Sequence, residues 1–136
     1  MNTSSNTPVH ASVNTSARRP LTVIGASAAA LACWVLAVPV AGIALTVRTG
    51  GGTQQVGPAA VVVASLLAGL AGWALLAALE RFASRAGRFW TIVALVVLAL
   101  SLLGPLGSAA DATARLVLVL LHLIVGAVLI PGLARR

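Results

Sequence analysis

Glu80-Arg81-Phe82-Ala83-Ser84-Arg85-Ala86-Gly87-Arg88-Phe89-Trp90 interrupts a chain that is otherwise a succession of long apolar runs. It holds Glu80 and three of the nine basic residues. In helical form Arg81, Arg85 and Arg88 fall at i, i+4 and i+7 and share one face, with Phe82 and Phe89 on a neighbouring one. Guanidinium groups beside aromatic rings suit the boundary between water and lipid, the charges toward headgroups and the rings toward acyl chains. The stretch therefore reads as a connector at a membrane surface, with Arg81, Arg85 and Arg88 as lipid-headgroup contacts.

Composition agrees. Of the 136 residues, 60% are hydrophobic and only 8% charged, and the mean hydropathy is +1.06. A soluble domain carries roughly a quarter charged residues, so this chain has too little polar surface to remain in water. Its net charge of +7 comes entirely from arginine. The arginines lie in short groups between apolar runs, which fits membrane topology and not nucleic-acid binding. A single cysteine, Cys33, excludes an intramolecular disulfide.

Working outward, four apolar runs emerge, at about 21–47, 58–79, 89–107 and 113–134. Each is long enough to cross a hydrocarbon core of ~30 Å. The expected fold is all-α: an antiparallel, up-down-up-down bundle of four transmembrane helices over residues 20–136. Residues 1–19, rich in Ser, Thr and Asn, read as a disordered cytoplasmic tail. The first run follows Arg18-Arg19-Pro20 but is nearly twice the length of a cleaved signal core, and it continues past Cys33. Pro39 is expected to free the Val35 carbonyl and kink the first helix. The stretch Thr49–Gln55, with Gly50-Gly51-Gly52, reads as a flexible polar loop.

In the second run Ser65 and Gly69, and Ala64, Ala68 and Gly72, recur at fourfold spacing. Small residues so placed let helix backbones approach closely in lipid. They mark faces for packing on the first helix, or on a second copy or another membrane partner. Gly104-Pro105 is expected to close the third helix. Asp111 and Arg115, four apart at the start of the fourth, read as an outer-interface ion pair.

With four spans, Arg18, Arg19, Arg81, Arg85, Arg88, Arg135 and Arg136 lie on one side, and Arg48 and Arg115 on the other. The positive-inside rule then puts both termini and the central connector in the cytoplasm of a plasma-membrane protein. Trp90 is expected at the cytoplasmic interface, and Trp34, deeper, as a packing residue.

The four-span layout, the Gly104-Pro105-Leu106 exit and the run from His122-Leu123-Ile124-Val125 through Leu129-Ile130-Pro131 resemble a group of small actinobacterial membrane proteins held as a domain of unknown function. The resemblance covers about residues 20–134. It implies a four-helix integral membrane fold and transfers no activity, cofactor or catalytic residue.

The residues themselves offer little chemistry. With one Asp, one Glu, one Cys and two His there is no carboxylate pair and no metal-ligand cluster, so neither an enzyme nor a cofactor is expected. A small multidrug exporter would need a glutamate in its first span, and 21–47 contains no acid. The leading expectation is a non-catalytic membrane protein acting through helix or lipid contacts. The alternative is a small transporter or proton-linked carrier using His122, the one titratable group well inside a span. Seven residues from Arg115, His122 lies about 10 Å deep at ~1.5 Å per residue. Ser65 and Ser101 fall at similar depths, as does the Val35 carbonyl. These groups are expected to form a polar layer in which His122 bonds Ser65, Ser101 or that carbonyl.

Overall fold

The computed structural model describes residues 15–135. Most of the expected tail, 1–14, and Arg136 lie outside the described residues. The chain is mostly helical: α1 Thr15–Val35, α2 Pro58–Phe82, α3 Ala86–Ser101, the short α4 Leu103–Ser108 and α5 Ala112–Ala134. Among the described residues four helical stretches are long and apolar enough to cross a membrane: Ala17–Val40, Pro58–Phe82, Ala86–Ser108 and Ala112–Ala134.

The boundaries differ from expectation in instructive ways. α1 begins at Thr15, so Arg18, Arg19 and Pro20 belong to the helix and not to a tail. It also ends early. From Leu36 to Val40 the backbone widens into a π-turn around Pro39, with the Ala41 N–H donating to the Leu36 carbonyl at 3.0 Å. Proline has no N–H to continue the i→i−4 ladder, and the wider turn accommodates that loss. The apolar sequence runs on to Val47, but the helix does not. The third span is split too. Pro105 cannot donate to the Ser101 carbonyl and crowds it, so α3 stops at Ser101 and, after Leu102, α4 carries the helix past Gly104-Pro105 to Ser108.

Thr49–Gln55 is not a flexible loop. Strands β1 (Thr46–Thr49) and β2 (Gly52–Gln55) pair antiparallel in the register Thr46↔Gln55 to Thr49↔Gly52. The β-branched Thr46, Val47, Thr49 and Thr53 favour the extended backbone. The two residues Gly50-Gly51 join the strands, and Gly52, the first residue of β2, takes a φ of +133°, a conformation that favours glycine. The hairpin is tied to the entrance of α5: Val47 bridges Ala109, the Ala110 N–H donates to Thr46 O at 3.0 Å, and Arg48 Nη2 donates to Ala110 O at 3.2 Å. The fold is therefore mostly, not wholly, α.

α1 packs on α2 and α5, and α3 packs on α5 and α2. Two apolar clusters fill the interior. One, beneath the hairpin, gathers Ala30, Leu45, Val61, Ala114, Val117 and Leu121. The other, at the opposite end, gathers Val23, Ala26, Leu76, Trp90, Leu129 and Leu133. Close helix approach depends on glycine at four points. A Cβ at Gly69 would lie 2.6 Å from Val23 Cγ1, at Gly72 2.8 Å from Trp90 Cη2 and at Gly126 2.8 Å from Leu98 Cδ2, and one at Gly132 would collide with Thr22 Cγ2. Outward, the helices present Leu21, Ile24, Leu67, Val96, Leu100 and Leu116, all more than half exposed, an apolar surface that water would not tolerate on this scale.

Candidate functional site: a lateral cavity and an arginine pole

Three contacts define one end of the molecule. Arg19 grips Glu80 with both terminal guanidinium nitrogens, Nη1 donating to Oε2 at 3.1 Å and Nη2 to Oε1 at 2.5 Å. Thr22 lies over Gly132, and Gly87 lies beside the Ala134 carbonyl. The N-terminal part of α1, the α2–α3 connection and the end of α5 are thus neighbours. Arg18, Arg19, Arg81, Arg85, Arg88 and Arg135 gather there, while Arg48, Asp111 and Arg115 lie at the hairpin end.

Arg81, Arg85 and Arg88 do not share a helical face. α2 ends at Phe82, Ala83 is extended (φ −131°, ψ 127°), and α3 starts at Ala86. Arg81 therefore closes α2, Arg85 precedes α3, and Arg88 lies in its first turn. All three are exposed, as are Phe82, at 89%, and Phe89, at 53%, so charges and rings still crowd one rim. Trp90 is not an interfacial anchor. It is 4% exposed, and its indole Nε1–H donates to the Ile130 carbonyl at 3.2 Å. Trp34 likewise packs inward and donates to Val56 O at 2.8 Å.

Asp111 and Arg115 form no ion pair. Asp111 instead caps α5, its Oδ1 accepting from the Ala114 N–H at 2.7 Å. The amide is fixed three residues ahead, whereas a guanidinium must be ordered to reach, so the cap prevails.

Between α2 and α3, floored by α5, lies a cavity of about 630 Å³. α2 sorts its small residues onto two faces. Gly69 is buried with Val23 of α1 over it, whereas Ala64, Ala68 and Gly72, together with the buried Ser65, line the cavity. α3 contributes Val93 and Val97, and α5 Val125 and Ile130. Ala64, Ala68 and Val97 are exposed although they line it, so the cavity opens sideways between α2 and α3.

Ser65, Ser101 and His122 all line this one cavity, but they do not bond one another. Ser65 Oγ–H donates to Val62 O at 3.0 Å and Ser101 Oγ–H to Leu98 O at 2.7 Å. His122 Nδ1 lies 2.7 Å from Leu118 O. The expected cross-helix bonds are replaced by bonds to each residue's own helix, because a carbonyl three or four residues back is always within reach. The Val35 carbonyl is no partner either: neither Val35 nor Pro39 lines the cavity. A carbonyl can only accept, so His122 Nδ1 carries the hydrogen, and in the neutral ring Nε2 is a bare acceptor. Among the described residues no group of three or more His, Cys, Asp or Glu is placed to hold a metal ion.

The chain belongs to a family of unknown function (DUF6069), whose model matches residues 10–136. No curated protein matches it, and no solved structure does.

Proposed function

We propose that this member of a family of unknown function is a multi-pass plasma-membrane protein, with four spans running up-down-up-down as an antiparallel bundle. Both termini and the connector at Ala83–Arg85 lie in the cytoplasm, where Arg81, Arg85 and Arg88 meet anionic headgroups. It acts without catalysis, holding an apolar molecule that enters from the bilayer. The observation that carries this reading is the lateral opening of an apolar cavity between helices long enough to span. Its volume falls within the roughly 300–1,000 Å³ usual for small-molecule sites. Exposed Ala64 and Ala68 on its rim also form the small-residue edge on which a second copy or another membrane helix would pack.

Occupancy tests this. The protein purified in lipid nanodiscs should retain a copurifying lipophile visible by native mass spectrometry. Ala68→Trp, which fills the mouth, should lose it while keeping the topology. An identical complement in both proteins would refute the reading.

A proton-linked carrier built on His122 is the second reading, favoured by the position of that ring on the cavity wall. Against it, among the described residues no other titratable side chain lines the cavity to pass a proton onward. Reconstituted protein that dissipated a pH gradient, and lost this on His122→Phe, would reverse the order of the two.

A further inference from the structure

The hydrogen bonding of the cavity wall specifies what kind of head group it accepts. Among the described residues four polar side chains line it: Ser65, Trp90, Ser101 and His122. Each already donates its hydrogen to a backbone carbonyl, those of Val62, Ile130, Leu98 and Leu118 respectively. What remains toward the cavity is Ser65 Oγ, Ser101 Oγ and His122 Nε2, and in the neutral ring all three are acceptors. With that ring neutral, the wall offers acceptors and no free donor.

We propose that the cavity binds a neutral long-chain alcohol, its tail lying between α2 and α3 and its hydroxyl donating a hydrogen bond to His122 Nε2. This rests on the lipophile-binding reading above and names the ligand class. A phosphate or ionised carboxylate would set its own acceptors against the wall's. A ketone or ester would bring a carbonyl that nothing there can satisfy, and so would an amide or an undissociated acid. An ammonium group would carry a charge into the hydrocarbon region with no counter-ion on the wall. A hydroxyl supplies the missing hydrogen and adds no carbonyl. Imidazole nitrogen is the strongest acceptor of the three, so the head group is assigned to it, with the two serine oxygens as secondary acceptors.

The test compares two probes, one with a hydroxyl donor and one in which a methyl group replaces the hydroxyl hydrogen. Diazirine-bearing hexadecanol and its methyl ether are added separately to the protein in phosphatidylglycerol nanodiscs, irradiated, and the labelled residues mapped. The alcohol should label cavity residues of α2 and α5 at least about threefold more than the ether, the size of one intramembrane hydrogen bond. His122→Phe should erase that preference, and Ser101→Ala should reduce it less. Equal labelling of the wild-type cavity by alcohol and ether overturns the donor assignment while leaving lipophile binding intact. No cavity labelling by either probe overturns both. The wild-type comparison needs no variant, so a misfolded His122→Phe would not rescue the proposal.

Discussion

Arg19 and Glu80, separated by 61 residues, face each other as a two-pronged ion pair that joins the N-terminal part of α1 to the last turn of α2. The carboxylate belongs to the chain's only glutamate, and it sits at the arginine-rich end. Both side chains remain about a quarter exposed or more, at 26% and 30%. Such a pair contributes modestly, roughly 0.2–1 kcal/mol. Its clearer role is to set the register in which α1 and α2 meet.

Reversing both charges should therefore be tolerated better than reversing one. Arg19→Glu or Glu80→Arg alone should lower the thermal midpoint in detergent, and the double variant should recover most of the loss. Strictly additive losses would show that the pair is not energetically coupled.

The glycine contacts give a sharper stability test. Gly69→Ala drives a methyl group to within 2.6 Å of Val23 Cγ1, and β-branched Val23 has little rotamer freedom with which to move away. The expected cost is about 1–3 kcal/mol, largely restored by Val23→Ala. Gly25→Ala, on the same face-to-face helix pair but with nothing within 4 Å, should be neutral or slightly stabilising. Thermal unfolding of the three variants decides it. Equal effects at Gly25 and Gly69 would contradict the packing.

Trp90 closes the cavity at the arginine end and holds the Ile130 carbonyl. Trp90→Phe keeps an aromatic ring but removes the donor. It should cost about 0.5–1.5 kcal/mol and remove the Trp90 share of an indole fluorescence to which Trp34 and Trp73 also contribute. A loss no larger than that of an exposed substitution, such as Phe82→Leu, would place the indole at the surface instead.

Arg81, Arg85 and Arg88 are exposed beside Phe82 and Phe89. A basic residue near an anionic surface contributes roughly 1 kcal/mol. Replacing all three with glutamine should shift topology or weaken association with phosphatidylglycerol. If both are unchanged, these residues serve only as a connector.

The spans are legible in the sequence because each apolar run is bounded by residues that helices in lipid avoid: Gly50-Gly51-Gly52, Ser84-Arg85 and Ala110-Asp111. Where Pro39 and Pro105 interrupt those runs, hydropathy is blind to the change, since a π-turn or a split helix keeps the same composition. The hairpin is illegible for another reason. Thr46–Gln55 is short and glycine-rich, and it is completed by Ala109 and Ala110, more than fifty residues away. That Ser65, Ser101 and His122 line one cavity is seen in the structure, and their expected common depth in a bilayer is legible from helical rise alone. Their bonding is not, because helix rotation and competition from the nearest carbonyl decide it. The Asp111 cap and the Arg19–Glu80 pair show the same limit: spacing names residues that can meet, and local geometry chooses among them.

The central claim is that the arginine pole faces the cytoplasm and the hairpin faces outward. It is tested most directly by cysteine accessibility. In a Cys33→Ser background, a single cysteine is placed at Gly51 in the hairpin turn or at Ser84 in the connector, both exposed. Intact cells are then treated with a membrane-impermeant maleimide. Gly51→Cys should label in intact cells, and Ser84→Cys only after the membrane is permeabilised. Labelling of Ser84→Cys in intact cells, or protection of Gly51→Cys until permeabilisation, would contradict the account.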